Sequence, residues 1–187
     1  MWKKILPDRF AKDVFEIDPR ELKKQGFDLV LLDIDNTIAK YEEPVPSEKI
    51  KNWVLSLKDA GLDTVIISNN RAKRVGKFGE ELASKSFHFS LKPLKKNYKK
   101  IIKEYDIDPS KVCAIGDQLF MDVLGANRMG IYSILVDRIY DTGSFVRKWL
   151  MKFEDGVRHR HRHLKKEATK RDTGNKGKNN EIMPNRK

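Results

Sequence analysis

Short apolar runs alternate with helix-like periodicity through the middle of the chain. Four short runs that are mostly apolar are typical of buried parallel strands, at 29–34, 64–67, 112–115 and 132–136. The stretches between them carry the spacing of helices. This alternation predicts an α/β fold with a doubly wound parallel sheet.

Two of the intervening helices are predicted in detail. The first has apolar residues at i, i+3, i+4 and i+7, with Ser47 as its N-cap and Gly61 as its stop. That stripe consists of Ile50, Trp53, Val54 and Leu57. The second stripe consists of Leu94, Tyr98, Ile101, Ile102 and Tyr105, and the lysines between its members predict a solvated face.

The two ends of the chain differ from this middle region, which we place at 27–140. Residues 1–26 form an amphipathic extension that either packs on the domain or lies on a membrane. Residues 141–165 predict a basic amphipathic helix, for which the same two alternatives stay open. Residues 166–187 are polar and basic, which predicts a disordered tail.

The net charge of the chain indicates which classes of partner it binds. Lys and Arg outnumber Asp and Glu by 39 to 27, for a net charge of +12, and nine of those charges lie between residues 138 and 187. An excess of this kind favours an anionic partner: nucleic acid, acidic lipid or a phosphorylated substrate. A single cysteine excludes an intramolecular disulfide, and no apolar stretch approaches a membrane span. We therefore expect a cytoplasmic protein, or one peripheral at the inner face of a membrane.

The candidate chemistry begins where the first predicted strand ends. Asp33 and Asp35 lie at the end of the first apolar run, at the edge of a parallel sheet where such folds bind ligands. Burying two carboxylates there costs free energy unless they have a partner or a task. The following Asn36 and Thr37 are also ordinary turn residues, so this segment alone leaves both interpretations open.

Three further segments follow in order, each at the end of a predicted strand, with a short strand predicted before Lys92: Ser68-Asn69-Asn70, Lys92-Pro93, and Gly116-Asp117 with Asp122 five residues later. A serine after a strand is usually a cap, and a lysine among lysines is usually solvated. The joint order of all four segments is what indicates a shared site.

This order resembles the haloacid dehalogenase (HAD) superfamily of phosphatases, over about residues 29 to 136. The gaps between the motifs hold no large insertion, so the chain resembles the capless subfamily IIIA. Its finer motif sequence is similar to that of the YqeG-type phosphatases, which are related to mitochondrial phosphatidylglycerophosphate phosphatase. The resemblance implies a Rossmann-like HAD core without a large cap domain.

The resemblance also implies roles for the motif residues. Asp33 would be the nucleophile that forms an aspartyl-phosphate, and Asp35 would be the general acid and base. Ser68 would bind a phosphoryl oxygen and Lys92 would balance the accumulating negative charge. Mg²⁺ is the implied cofactor, and its expected protein contacts are Asp33, the backbone carbonyl of Asp35, Asp117 and Asp122. The candidates for substrate contact are polar residues that flank the first two motifs: Asn36, Thr37, Asn69, Asn70, Arg71 and Arg74.

An open site suits a substrate whose own bulk covers the pocket. The resemblance implies hydrolysis of phosphatidylglycerophosphate to phosphatidylglycerol at an anionic membrane surface. A soluble nucleotide, sugar phosphate or phosphoprotein is the alternative substrate. An RNA- or ribosome-associated protein with a vestigial site is the alternative from another class, although no RNA-binding motif supports it.

Overall fold

The computed structural model describes residues 5–139 and Gly156. Within them, one parallel sheet has six strands: β1 (Arg9–Ala11), β2 (Leu29–Leu32), β3 (Asp63–Ile67), β4 (Lys85–Phe87), β5 (Val112–Gly116) and β6 (Tyr132–Val136). The helices are α1 (Pro19–Lys24), α2 (Glu48–Asp59), α3 (Ala72–Glu81), α4 (Lys96–Glu104) and α5 (Leu124–Asn127). This architecture confirms the predicted Rossmann-like α/β fold.

The strand order, β1-β6-β5-β2-β3-β4, places β2 at the centre of the sheet. Leu31 of β2 pairs with Val65 of β3 on one side and with Ala114 of β5 on the other. The chain moves outward from β2 through β3 and β4, then returns to the opposite side of β2 to form β5 and β6. The switch between β2 and β5 is where open α/β sheets hold their ligands.

Helices cover both faces of the sheet because the side chains of a strand alternate between faces. Val30 and Leu32 face the core formed with α1, α2 and α3. Leu29 and Leu31 face the second core, which contains Tyr98 of α4. The central strand is therefore buried on both sides, as its continuous apolar run predicts.

The prediction for α2 is confirmed at both ends. The hydroxyl of Ser47 accepts a hydrogen bond from the backbone N–H of Ile50 at 3.4 Å, and the four apolar stripe residues are buried. Gly61, with φ of 79°, follows the end of the helix. The second helix begins later than its stripe predicts: α4 starts at Lys96, and Leu94 lies exposed before it.

Residues 5–26 pack on the domain. β1 pairs in parallel with β6, so that Arg9 lies opposite Ile134. Ile17 and Leu22 are buried in the first core, and the indole N–H of Trp53 donates to the carbonyl of Ile17 at 3.3 Å. For the described part of this extension, packing on the domain is the alternative that the structure supports.

The chain divides into two units, Met1–Asp141 and Thr142–Lys187. Apart from Gly156, the second unit lies outside the described residues, so the predicted helix at 141–165 and the predicted tail at 166–187 stay predictions. Among the described residues, no helix has the length and apolar character needed to cross a membrane.

Candidate active site

Asp33 is the first residue after β2 and is buried. Its backbone N–H donates to the carbonyl of Ile115 at 3.1 Å, which continues the pairing of β2 with β5 by one residue. Its Oδ1 lies 2.6 Å from Nζ of Lys92, and its Oδ2 accepts a hydrogen bond from the hydroxyl of Thr37 at 3.2 Å. Both carboxylate oxygens are thus oriented by neighbouring side chains.

Two more carboxylates approach Asp33 from the end of β5. Oxygen atoms of Asp33, Asp117 and Asp122 all lie within 4.8 Å of one another, and all three residues are buried. Asp122 is carried by a π-helical turn, Leu119–Val123, a local geometry that is frequent at functional sites. Its Oδ2 accepts a hydrogen bond from the backbone N–H of Gln118 at 3.0 Å.

Gly116 makes room for this arrangement. A Cβ at position 116 would lie 2.2 Å from Cγ of Asp122 and 2.4 Å from its Oδ2. The absence of a side chain at the end of β5 therefore lets the Asp122 carboxylate fold back toward Asp33.

Lys92 supplies positive charge to the carboxylates. Its Nζ lies 2.6 Å from Oδ1 of Asp33 and 2.5 Å from Oδ1 of Asp122. Burial lowers the pKa of Lys92, but the charges of Asp122 and Asp33 outweigh burial, and the net shift of its pKa is upward. Asn69 fixes the lysine backbone: its Oδ1 accepts from the N–H of Lys92 at 2.8 Å, and its Nδ2 donates to the carbonyl of Lys92 at 3.3 Å.

The buried charges favour a divalent cation. Burial raises the pKa of Asp33 to about 7 against the opposing charge of Lys92. Burial and the charges of Asp122 and Asp33 raise the pKa of Asp117 to about 8. A cation at the three oxygen donors would keep all of them ionised, and carboxylate oxygens are the ligands that Mg²⁺ prefers. The donor set of this site therefore fits Mg²⁺.

Asp35 lies outside this carboxylate cluster. Its Oδ2 accepts a hydrogen bond from Nδ2 of Asn70, and its Oδ1 accepts one from Nε of Arg74, both at 2.9 Å. The two terminal nitrogens of Arg74 donate to the backbone carbonyls of Lys40 (2.8 Å) and Glu43. Arg74 therefore joins α3, the Asp35 carboxylate and the turn at 40–43. The predicted metal contact of the Asp35 carbonyl stays a prediction.

The remaining predicted site residues lie at the same edge of the sheet. Asn36 has a φ of 64°, and its N–H donates to the carbonyl of Ala39 at 2.7 Å, which makes it part of the turn. The hydroxyl of Ser68 accepts from the N–H of Asn70 at 3.1 Å and keeps its own hydrogen for another acceptor. Arg71 is exposed at the start of α3. The structure thus shows Asn69, Asn70 and Arg74 bound to protein groups, and their predicted contact with substrate stays a prediction.

Sequence reasoning missed two residues of the site. Arg138 has a nearly buried side chain, and its Nε lies 3.5 Å from Oδ2 of Asp117. The Nε2 of Gln118 lies 3.4 Å from Oδ1 of the same aspartate. Arg138 follows β6 by two residues, so the rule that ligands bind at the carboxyl ends of parallel strands would have indicated it.

Comparisons with known proteins agree with this geometry. Residues 3–130 match the family model described as haloacid dehalogenase-like hydrolase. The chain is 32% identical over 147 residues to the probable phosphatase YqeG of Bacillus subtilis, which covers 79% of this chain and 86% of that protein. It is 30% identical over 108 residues to the glyceraldehyde 3-phosphate phosphatase of Pyrococcus furiosus, over 53% of this chain and 44% of that protein.

A solved structure with the same fold is the D,D-heptose 1.7-bisphosphate phosphatase of B. bronchiseptica, complexed with magnesium and phosphate. It shares 20% sequence identity and has a TM-score of 0.50, with 58% of this chain and 80% of that chain covered. The family match, the YqeG relative and the edge-of-sheet site lead to one conclusion: the chain belongs to the haloacid dehalogenase-like hydrolases and is a phosphatase of that superfamily.

Proposed function

We propose that this phosphatase hydrolyses phosphatidylglycerophosphate to phosphatidylglycerol at an anionic membrane surface. The observation that carries the proposal is the open site. Among the described residues, only a turn, α2 and β3 lie between Thr37 and Ser68, and only α3 and the short β4 lie between Ser68 and Lys92. With no cap domain there to exclude water, a bulky substrate must cover the pocket itself.

The contacts of Asp33 and Asp35 support different roles for the two acids. An oxygen of Asp33 attacks the phosphorus, the bond to the leaving alcohol breaks, and Asp35 donates a proton to that alcohol. Asp35 then takes a proton from water, the water oxygen attacks the phosphorus, and the bond to Asp33 breaks with release of phosphate. Lys92 stabilises the negative charge that accumulates beside Asp33. The hydroxyl of Ser68 is positioned to donate to a phosphoryl oxygen.

Asp33, Asp117 and Asp122 would hold Mg²⁺, with the backbone carbonyl of Asp35 as a further contact. When bound, the cation supplies charge neutralisation between an anionic nucleophile and an anionic phosphoryl group. Without it, the raised pKa values of Asp33 and Asp117 keep part of the population protonated near neutral pH.

A soluble phosphomonoester is the second candidate substrate. The Pyrococcus furiosus relative is named for glyceraldehyde 3-phosphate, a small soluble compound. The YqeG relative covers 79% of this chain and the Pyrococcus furiosus relative covers 53%. Because the motifs resemble the YqeG-type phosphatases, which are related to mitochondrial phosphatidylglycerophosphate phosphatase, the lipid is our first choice.

Phosphate release in the presence of Mg²⁺ tests the proposal. Vesicles that contain phosphatidylglycerophosphate are compared with a panel of glyceraldehyde 3-phosphate, nucleotides, sugar phosphates and a phosphopeptide, with Asp33→Asn as the inactive control. We expect the highest kcat/KM on the lipid and no turnover by the control. Turnover of the soluble panel alone would overturn the lipid assignment and keep the chemistry. If the unmodified protein and the Asp33→Asn variant both bind RNA and neither hydrolyses any of the compounds, the result would support an RNA-binding protein with a vestigial site instead.

A further inference from the structure

The loop at 89–94 exposes three large apolar side chains beside the site. Phe89, Leu91 and Leu94 have exposed fractions of 54%, 59% and 52%. Lys92, between them in sequence, is instead buried with its Nζ on Asp33. The loop thus directs one side chain into the active site and three outward from the protein.

The backbone of this loop is held in a conformation that bulky residues rarely adopt. Phe89 and Leu91 have φ values of 42° and 50°, in the left-handed region that favours glycine and asparagine. Hydrogen bonds fix it: the N–H of Phe89 donates to the carbonyl of Asn70 and that of Ser90 to the carbonyl of Ser68, each at 3.1 Å. Because such conformations cost free energy, bulky apolar residues here indicate a function rather than folding.

The loop lies in a basic stretch of the chain. Residues 82–103 contain seven lysines and no aspartate or glutamate. Lys92 is buried against Asp33 and Lys85 pairs with Glu104, which leaves five lysines for an anionic partner. Lys96 is exposed at the start of α4, two residues after the loop. The guanidinium of Arg128 also reaches the loop, where it donates to the carbonyl of Pro93 at 3.3 Å. The surface therefore combines exposed apolar side chains with basic neighbours.

We propose that the 89–94 loop docks on an anionic lipid bilayer, with Phe89, Leu91 and Leu94 inserted among the acyl chains and the lysines near the headgroups. This combination of apolar and cationic groups is what interfacial membrane-binding segments use. Docking through the loop places the active site next to the bilayer, because Lys92 of the same loop contacts Asp33. The inference rests on the proposed lipid substrate and adds how that substrate is reached.

Asparagine substitutions give a sharp test. Phe89→Asn and Leu91→Asn remove apolar surface but keep a residue that tolerates the left-handed conformation, so the loop backbone is preserved. Leu55→Ser is the matched control, because Leu55 is 55% exposed on α2 and lies outside the loop. The full-length chain is used throughout. Binding is measured by co-sedimentation with vesicles of equal parts phosphatidylcholine and phosphatidylglycerol, and hydrolysis with p-nitrophenyl phosphate and with phosphatidylglycerophosphate vesicles.

We expect each loop variant to lower vesicle partitioning by about tenfold, which is the scale of one large apolar side chain returned to water. Hydrolysis of the vesicle substrate should fall in parallel, relative to hydrolysis of p-nitrophenyl phosphate by the same variant. Leu55→Ser should match the unmodified protein in both assays. Equal vesicle binding by loop variants and control would overturn the inference.

The outcomes separate this inference from the proposed function. If the loop substitutions leave the turnover of phosphatidylglycerophosphate in vesicles unchanged, the lipid remains the substrate and the loop is not the docking surface. Loop-dependent vesicle binding without any lipid turnover keeps the docking surface and rejects the substrate. A change in molecular mass in solution, with vesicle binding unaltered, would identify the loop as a protein interface and also overturn the inference.

Discussion

Replacing Arg74 should disable the proposed general acid without touching the nucleophile. Arg74→Ala removes the hydrogen bond from Nε of Arg74 to Oδ1 of Asp35, while the hydrogen bond from Nδ2 of Asn70 to Oδ2 remains. It also removes two donors to the carbonyls of Lys40 and Glu43, which fix the turn beside Asp35. Positioned acid catalysis contributes about 10²- to 10⁴-fold. With one of two anchors left, we expect kcat/KM on an alkyl phosphate to fall by roughly 10- to 100-fold.

The dependence of this loss on the leaving group identifies its cause. A p-nitrophenolate leaves without a proton, whereas an alkoxide needs one from the acid in the same step. We therefore expect Arg74→Ala to lower kcat/KM on p-nitrophenyl phosphate by less than about threefold, since that step does not use the acid. Arg74→Lys should recover part of the alkyl phosphate activity, because an ammonium can donate to Asp35 but cannot span all three acceptors. Lys73→Ala, exposed in the same helix, is the control.

An equal loss on both substrates would refute this reasoning, since it would mean that Arg74 supports the site as a whole. The charged side chains of Arg74 and Asp35 are only partly exposed, so Arg74→Ala should also reduce the free energy of unfolding by about 1–3 kcal/mol. Kinetics must therefore be compared at a temperature where both proteins are fully folded, which a denaturation curve establishes.

Three further predictions concern the carboxylate cluster. Gly116→Ala should displace the Asp122 carboxylate and weaken Mg²⁺ binding, which calorimetry would detect; unchanged affinity would contradict the close approach of 2.2 Å. Lys92→Met should lower kcat by about 10²- to 10³-fold, because it removes the charge beside the nucleophile, and near-normal turnover would exclude that role. Asp33 and Asp117 have pKa values raised from 3.8 to about 7 and about 8, so the folded metal-free protein binds more protons than the unfolded chain. The contribution of these two groups to stability should be fully present below about pH 4 and should be lost as pH rises toward 8, with Mg²⁺ reversing the loss. A melting temperature that does not fall between about pH 6 and pH 8 without Mg²⁺ would contradict this.

The sequence predicted those features that depend on local pattern or on strand ends. The boundaries of α2 were predicted because Ser47 caps the helix and Gly61 follows it. α4 has no side-chain cap, and its periodic stripe continues backward to Leu94, so periodicity identified the buried face but not the first residue. β1 has three residues, which is too short for alternation to be visible, and its pairing with β6 joins distant parts of the chain.

The site itself was predictable to the extent that parallel strands bring their carboxyl ends together. Asp33, Asp117 and Asp122 meet because β2 and β5 are neighbours in the sheet, and motif order reflects that arrangement. The partners of Asp35 were not predictable, since nothing in the spacing of Asn70 and Arg74 indicates that they face this acid rather than a substrate. The direction of a side chain beyond the end of a strand depends on the geometry of the loop. No periodic pattern in a single sequence indicates that geometry.

The contrast between Asp33 and Asp35 is the basis of the proposed chemistry. Asp33 lies among the other buried carboxylates, where Lys92 and a cation would keep it ionised and ready to attack. Asp35, two residues later, is held by an amide and a guanidinium and stands apart from that cluster. In the proposed mechanism, the proton therefore moves to and from Asp35 at oxygen atoms whose hydrogen-bond partners differ from those of the clustered carboxylates. Two acids with such different neighbours are suited to separate roles, and the leaving-group test of Arg74 measures that separation directly.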